Sequence, residues 1–99
     1  SIMTSCKTKN NIVAHHMCAN ELYDLYIAKE KNLDNRSKLN FIKCIEEFYM
    51  KATEDSYILN EYDCIKNIKI SIKKNKKVNG IFLDMLINKP ILWALVKRN

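Results

Sequence analysis

"IKNIKISIKKNKKVNG", residues 65–80, can be read in two ways, and the fold depends on the choice. At helical spacing, Ile65, Ile68 and Ile72 share a face with Ile58 and Tyr62, while Lys66, Lys69, Lys73 and Lys77 share another. Read two residues at a time, IKISIKK alternates apolar and polar as an exposed strand would, and Ile70 fits that alternation better than the helical stripe. A strand needs a partner, and no other segment offers one. The expectation is a helix over about 56–74, with strand kept as the alternative for 66–73. ATEDS (52–56) is the expected break before it, with Thr53 or Asp55 as the cap.

Composition supports the helical reading. The chain has 99 residues, one glycine and one proline. A sandwich or barrel of strands needs a turn signal about every 8–12 residues, which these cannot supply. A hydrophobic content of 47% is too high for a disordered chain, and the length suits one domain. The predicted architecture is all-α: a compact single-domain bundle of four to five helices over residues 11–99, after a polar, frayed stretch at 1–10.

The other elements follow from spacing. A first helix is predicted from about Asn11 to Lys31, with Ile12, Cys18 or Ala19, Leu22, Tyr23, Tyr26 and Ile27 apolar. NLDNRS (32–37) reads as a loop whose Asp34, Asn35 and Ser37 can cap or turn. A second helix is predicted over 37–51. Phe41, Ile45, Phe48 and Ala52 form its stripe, widened by Leu39, Ile42 and Tyr49, with Lys43, Glu46 and Glu47 facing out. VNGIFLDMLIN (78–88) reads as a fourth helix with Val78, Ile81, Phe82, Met85 and Leu86 inward, weakened by Gly80. Pro90 then breaks the chain or starts a short final helix. In that helix Leu92, Trp93, Leu95 and Val96 are expected in the core, with Lys97 and Arg98 at the negative end.

Chemistry-bearing motifs are scarce. There is no glycine-rich phosphate loop, serine elbow or HExxH. Glu46–Glu47 and Glu54–Asp55 are sequence neighbours that point to different helix faces. His15 and Cys18 could supply two metal ligands, but nothing nearby completes a site, so no catalytic residue, metal or cofactor is assigned. No apolar run reaches the roughly 18 residues of a membrane span, and SIMTSCKTKN lacks the pattern of a secretory signal. Cys6, Cys18, Cys44 and Cys64 form no CxxC pair. Cys44 and Cys64, inside helical patterns, are expected as small buried hydrophobes in an intracellular protein. Two disulfides in a secreted helical protein are the alternative.

Charge is unevenly placed. Residues 1–65 hold 8 basic and 10 acidic side chains, whereas residues 66–99 hold 9 basic ones and only Asp84, in a chain of net charge +6. A strongly basic final third points to an acidic partner. Lys66, Lys69, Lys73, Lys74, Lys76 and Lys77 could neutralise nucleic-acid phosphates. The stretch has no arginine to read bases and no interleaved aromatic to stack on them. The other readings are a solvated helix end and the rim of a protein-docking site.

NLD in a loop, KCIEEF opening a helix and IKKNKKVNGIFLDML at a basic helix-to-helix turn resemble counterparts in the N-terminal domain family of transcription elongation factor TFIIS, and within it the integrase-binding domains. The resemblance covers about residues 20–98. It implies a non-enzymatic module that docks short, disordered, acidic-hydrophobic motifs of transcription and chromatin proteins, and hence a nuclear location. By this resemblance Val78 and the stem of Lys77 line a pocket between two interhelical loops. Asp34 accepts a backbone N–H of the partner, and Lys73, Lys74 and Lys76 attract its acids.

Overall fold

A computed structural model of the chain describes residues 8–98. Five α-helices follow one another: α1 (Lys9–Lys29), α2 (Asn35–Ile58), α3 (Tyr62–Lys74), α4 (Ile81–Asn88) and α5 (Pro90–Arg98), with a 3-10 turn at Glu30–Asn32 between the first two. Most of the expected frayed stretch, with Cys6, lies outside the described residues, as do the side chains of Phe82, Val96, Lys97 and Arg98.

Local chemistry sets the helix starts. The Thr8 hydroxyl accepts the Asn11 N–H at 3.3 Å and begins α1. The Asp34 carboxylate accepts the Ser37 N–H at 2.7 Å and begins α2, two residues earlier than the sequence suggested. That bond to the charged form also holds Asp34 below the usual carboxylate range. The turn between them is short, so α1 and α2 pack as an antiparallel hairpin.

The expected break at 52–56 is absent: α2 runs unbroken to Ile58. Thr53, Asp55 and Ser56 are buried. The Thr53 hydroxyl donates to the Tyr49 carbonyl at 2.8 Å, and that of Ser56 to the Ala52 carbonyl at 2.7 Å. Hydroxyls satisfied one turn back along their own helix can be buried without ending it. The chain turns later. Asn60 is left-handed (φ 57°), with its N–H bonded to the Tyr57 carbonyl at 3.2 Å and the Glu61 N–H bonded to the Ser56 carbonyl at 2.8 Å. This paired closure is a Schellman motif with asparagine in the place glycine usually takes.

The shift of this turn explains two exposed side chains expected inside. Ile58 is the last residue of α2 rather than part of the α3 stripe, and Tyr62 starts α3 with its hydroxyl donating to the Asn60 side chain at 3.0 Å. Both are exposed. Residues 66–73 are helical, and the strand alternative is excluded.

The core joins Ile12, Ala19, Tyr23 and Tyr26 of α1 to Ile45, Tyr49 and Ala52 of α2, Cys64 and Ile68 of α3, and Val78, Leu83 and Ile87. Leu39 and Ile27 are exposed, off the buried faces of their helices, and so is Cys44. Of the described cysteines, Cys18, Cys44 and Cys64 are free thiols, and only Cys64 is buried. Pro90 starts α5 at the position where its missing N–H costs nothing. Trp93 ties this helix to α2 by donating from Nε1 to Glu54 at 3.2 Å. Leu92 and Leu95, expected in the core, are exposed, because α5 meets the body of the protein through Trp93.

Candidate docking groove between α3 and α4

The lysine-rich junction is anchored by the residue that interrupts its lysines. Asn75 caps the end of α3 and is only 8% exposed. Its side-chain amide donates to the Tyr49 hydroxyl at 2.8 Å, and that hydroxyl donates to Asn20 at 2.5 Å. One chain of polar contacts therefore joins α1, α2 and the end of α3. The Tyr49 hydroxyl is held in its protonated form above the usual phenol range, chiefly by burial.

Two further contacts hold the junction. The Lys77 backbone N–H donates to the Tyr23 hydroxyl at 3.5 Å, and its ammonium pairs with Glu30, which also accepts from Tyr26 at 3.2 Å. The Lys77 contact holds the Glu30 carboxyl below its usual range and lifts the Lys77 ammonium above its own. Glu46, expected to face out, is half-buried and accepts the backbone N–H of Gly80. A Cβ at position 80 would coincide with that carboxylate, the far end of a flexible side chain, so a larger residue there turns Glu46 aside. Gly80 thus precedes α4 as its cap instead of weakening its interior, and Val78 sits in the preceding turn, its N–H bonded to the Asn75 carbonyl at 3.1 Å.

Held in this way, the junction leaves an open groove of about 740 Å³ between α3 and α4. Its base is apolar: Ile72, Val78, Leu83 and Ile87. Lys69, Ile70 and Lys73 stand along the α3 side, and Ile81, Asp84 and Asn88 along the α4 side. Ile70 is 65% exposed and Ile81 74% exposed, an unusual degree for isoleucine beside a buried floor.

Of the residues that the family resemblance assigned, Val78 and Lys73 line this groove, and so does Lys69 of the phosphate-binding alternative. Lys74 and Lys76 are exposed outside it, Lys77 is paired with Glu30, and the Asp34 side chain is occupied in capping α2. Glu30, rather than Asp34, is the acid that brings the α1–α2 connection against the α3–α4 junction. Lys69 was expected only as part of the phosphate-binding lysines, and Ile81, expected inward, is exposed because it opens α4 on the groove side; Ile70, Asp84 and Ile87 were not assigned to a site. Ile70 did carry a signal: it is the isoleucine that falls off the buried stripe of α3, and a large apolar residue off the stripe must face either solvent or a partner.

Two other features are present. An apolar depression of about 640 Å³ lies between the end of α2 and α5, where Glu54 is the charged lining residue and already bonds Trp93. His16 Nε2 lies 2.7 Å from the Ser71 hydroxyl, linking α1 to α3, and burial holds that imidazole below its ordinary value. Among the described residues no three His, Cys, Asp or Glu side chains converge as metal ligands, and no helix is long and apolar enough to cross a membrane.

No family model, curated protein or solved structure matches the chain.

Proposed function

We propose that this protein is a non-enzymatic docking module that binds an acidic-hydrophobic segment of a partner protein in the groove between α3 and α4. The observation that carries this reading is the pairing of an apolar floor with exposed isoleucines and two lysines at one opening. Apolar anchors in such a groove supply most of the affinity, while a charged rim raises the association rate and selects partners. The resemblance to the TFIIS N-terminal domain family adds the context of transcription or chromatin and a nuclear location.

The groove reading shifts the binding residues from those suggested by resemblance. Lys73 and Val78 stay, joined by Lys69, Ile70 and Ile81. Lys74 and Lys76 serve as longer-range attraction for the partner's acids. The test is titration of the protein with an acidic-apolar peptide, before and after Ile81→Glu. Ile81 is exposed, so the substitution places a charge in the groove with little effect on the fold.

A second reading rests on the exposure of Lys66, Lys69, Lys73, Lys74, Lys76 and Lys77 together. It predicts nucleic-acid binding that falls steeply with salt and is indifferent to Ile81→Glu.

A further inference from the structure

The two sides of the groove carry opposite charge. Lys69 and Lys73 stand one turn apart on α3, and Asp84 and Asn88 one turn apart on α4. The ion pairs among the described residues are Lys9–Glu61 and Lys77–Glu30, so neither lysine reaches Asp84 across the opening. Asn88 donates to Asp84 Oδ1 at 2.8 Å, which orients the carboxylate without neutralising it. Both sides therefore keep their charge, and each also presents an exposed isoleucine.

This arrangement constrains an occupant more tightly than a basic rim alone. A segment acidic on all sides would gain at Lys69 and Lys73 but set its remaining acids against Asp84, and like charges facing each other select against such a partner. An extended segment would leave its backbone groups without a sheet edge to pair with, since the described residues contain no strand. A helix satisfies its own backbone and can offer different side chains to left and right. The α4 side is 8 residues long, about 12 Å at helical rise, so about two turns of partner helix would contact it.

We infer that the groove selects a short amphipathic helix with acidic side chains on the flank facing Lys69 and Lys73, basic side chains on the flank facing Asp84, and an apolar edge between them. This inference rests on the docking reading above and specifies its partner.

The test uses the whole chain and a displayed library of helix-forming peptides, with leucine fixed at positions i, i+3, i+4 and i+7 and both flanks randomised. Peptides that still bind the Ile81→Glu chain are discarded as binders elsewhere. The survivors should be acidic on one flank and basic on the other, and selection on the Asp84→Lys chain should turn the second flank acidic. In solution the polarised peptide should bind the wild-type chain about three- to tenfold more tightly than its all-acid counterpart, and Asp84→Lys should reverse that order. Asp84 and Ile81 are both exposed, so the variants keep the fold. If all-acid peptides win on the wild-type chain, or the order is unmoved by Asp84→Lys, the polarised partner is overturned while docking in the groove stands. If no peptide sensitive to Ile81→Glu is recovered, both fail.

Discussion

Glu46 on α2 and Gly80 at the start of α4 compete for one space: the carboxylate lies where any Cβ at position 80 would be. The backbone of Gly80 (φ −62°, ψ 138°) is one that any residue can adopt, so all that a Cβ meets here is the flexible end of the Glu46 side chain. The contact lies where the chain enters α4, beside the groove that Gly80 lines.

Gly80→Ala should therefore cost no more than about 1 kcal/mol, the worth of the contact that Glu46 gives up when its flexible end turns aside. Urea denaturation measures the loss. In a Glu46→Ala background the same substitution should cost at least about 0.5 kcal/mol less, the coupling typical of contacting residues. Equal losses in both backgrounds would mean that the two residues do not share this space.

Tyr49→Phe should destabilise the protein by about 1–3 kcal/mol even though the ring is retained, since it leaves the buried Asn75 amide without its acceptor. Asn75→Ala should cost a similar amount, and the double variant clearly less than the two losses combined. Additive losses would separate the two side chains energetically and remove the polar anchor of the junction.

Two half-buried groups should give pH dependences of opposite sign. Burial holds His16 below its ordinary 6.5, so on acidification the unfolded chain takes the proton first. The stability tied to neutral His16 is full above about pH 6.5 and declines as pH falls from there through the folded-state value. Burial lifts Glu46 above its ordinary 4.5, only partly offset by the Gly80 N–H, so the folded state takes that proton first. Its contribution is greatest below about pH 4.5 and is lost as pH rises through the folded-state value. Thermal unfolding from pH 4 to 8 should show His16→Gln flattening the decline below neutrality and Glu46→Gln removing the opposing gain. A decline that persists unchanged in His16→Gln would assign it to other groups.

Lys69→Glu with Lys73→Glu should weaken an acidic-apolar peptide by about tenfold at low salt, and less as salt rises. Lys74→Glu with Lys76→Glu should slow association while leaving the dissociation rate nearly unchanged, because those lysines lie outside the groove. Stopped-flow measurement of both rates distinguishes the two pairs.

The helical class was legible because a single glycine and proline leave few ways to turn strands. The α2 stripe was legible in part: Ile45 and Ala52 are fully buried as expected, whereas Phe41 and Phe48 are half-buried and Tyr49, expected only to widen the stripe, is fully buried. The turn between α2 and α3 was misplaced because Thr53 and Ser56 look like loop residues until their hydroxyls are seen bonded to their own helix. The groove was only half legible. Its lysines stood out by composition and Val78 came from the family resemblance, but Ile81 and Asp84 gain meaning from a junction held by Tyr49, Glu30 and Glu46, contacts spanning 26 to 47 residues of sequence that no local pattern encodes.

The central claim is that the α3–α4 groove receives a partner segment. Its most direct test is amide chemical-shift mapping of the isotope-labelled chain titrated with a helix-forming peptide bearing leucines one turn apart, glutamates on one flank and lysines on the other. Saturable shifts should cluster at Lys69, Ile70, Lys73, Ile81 and Asp84, while Ile58 and Ile91 in the α2–α5 depression stay still. Shifts confined to that depression, or spread along Lys66, Lys74 and Lys76 without the groove isoleucines, would contradict the account.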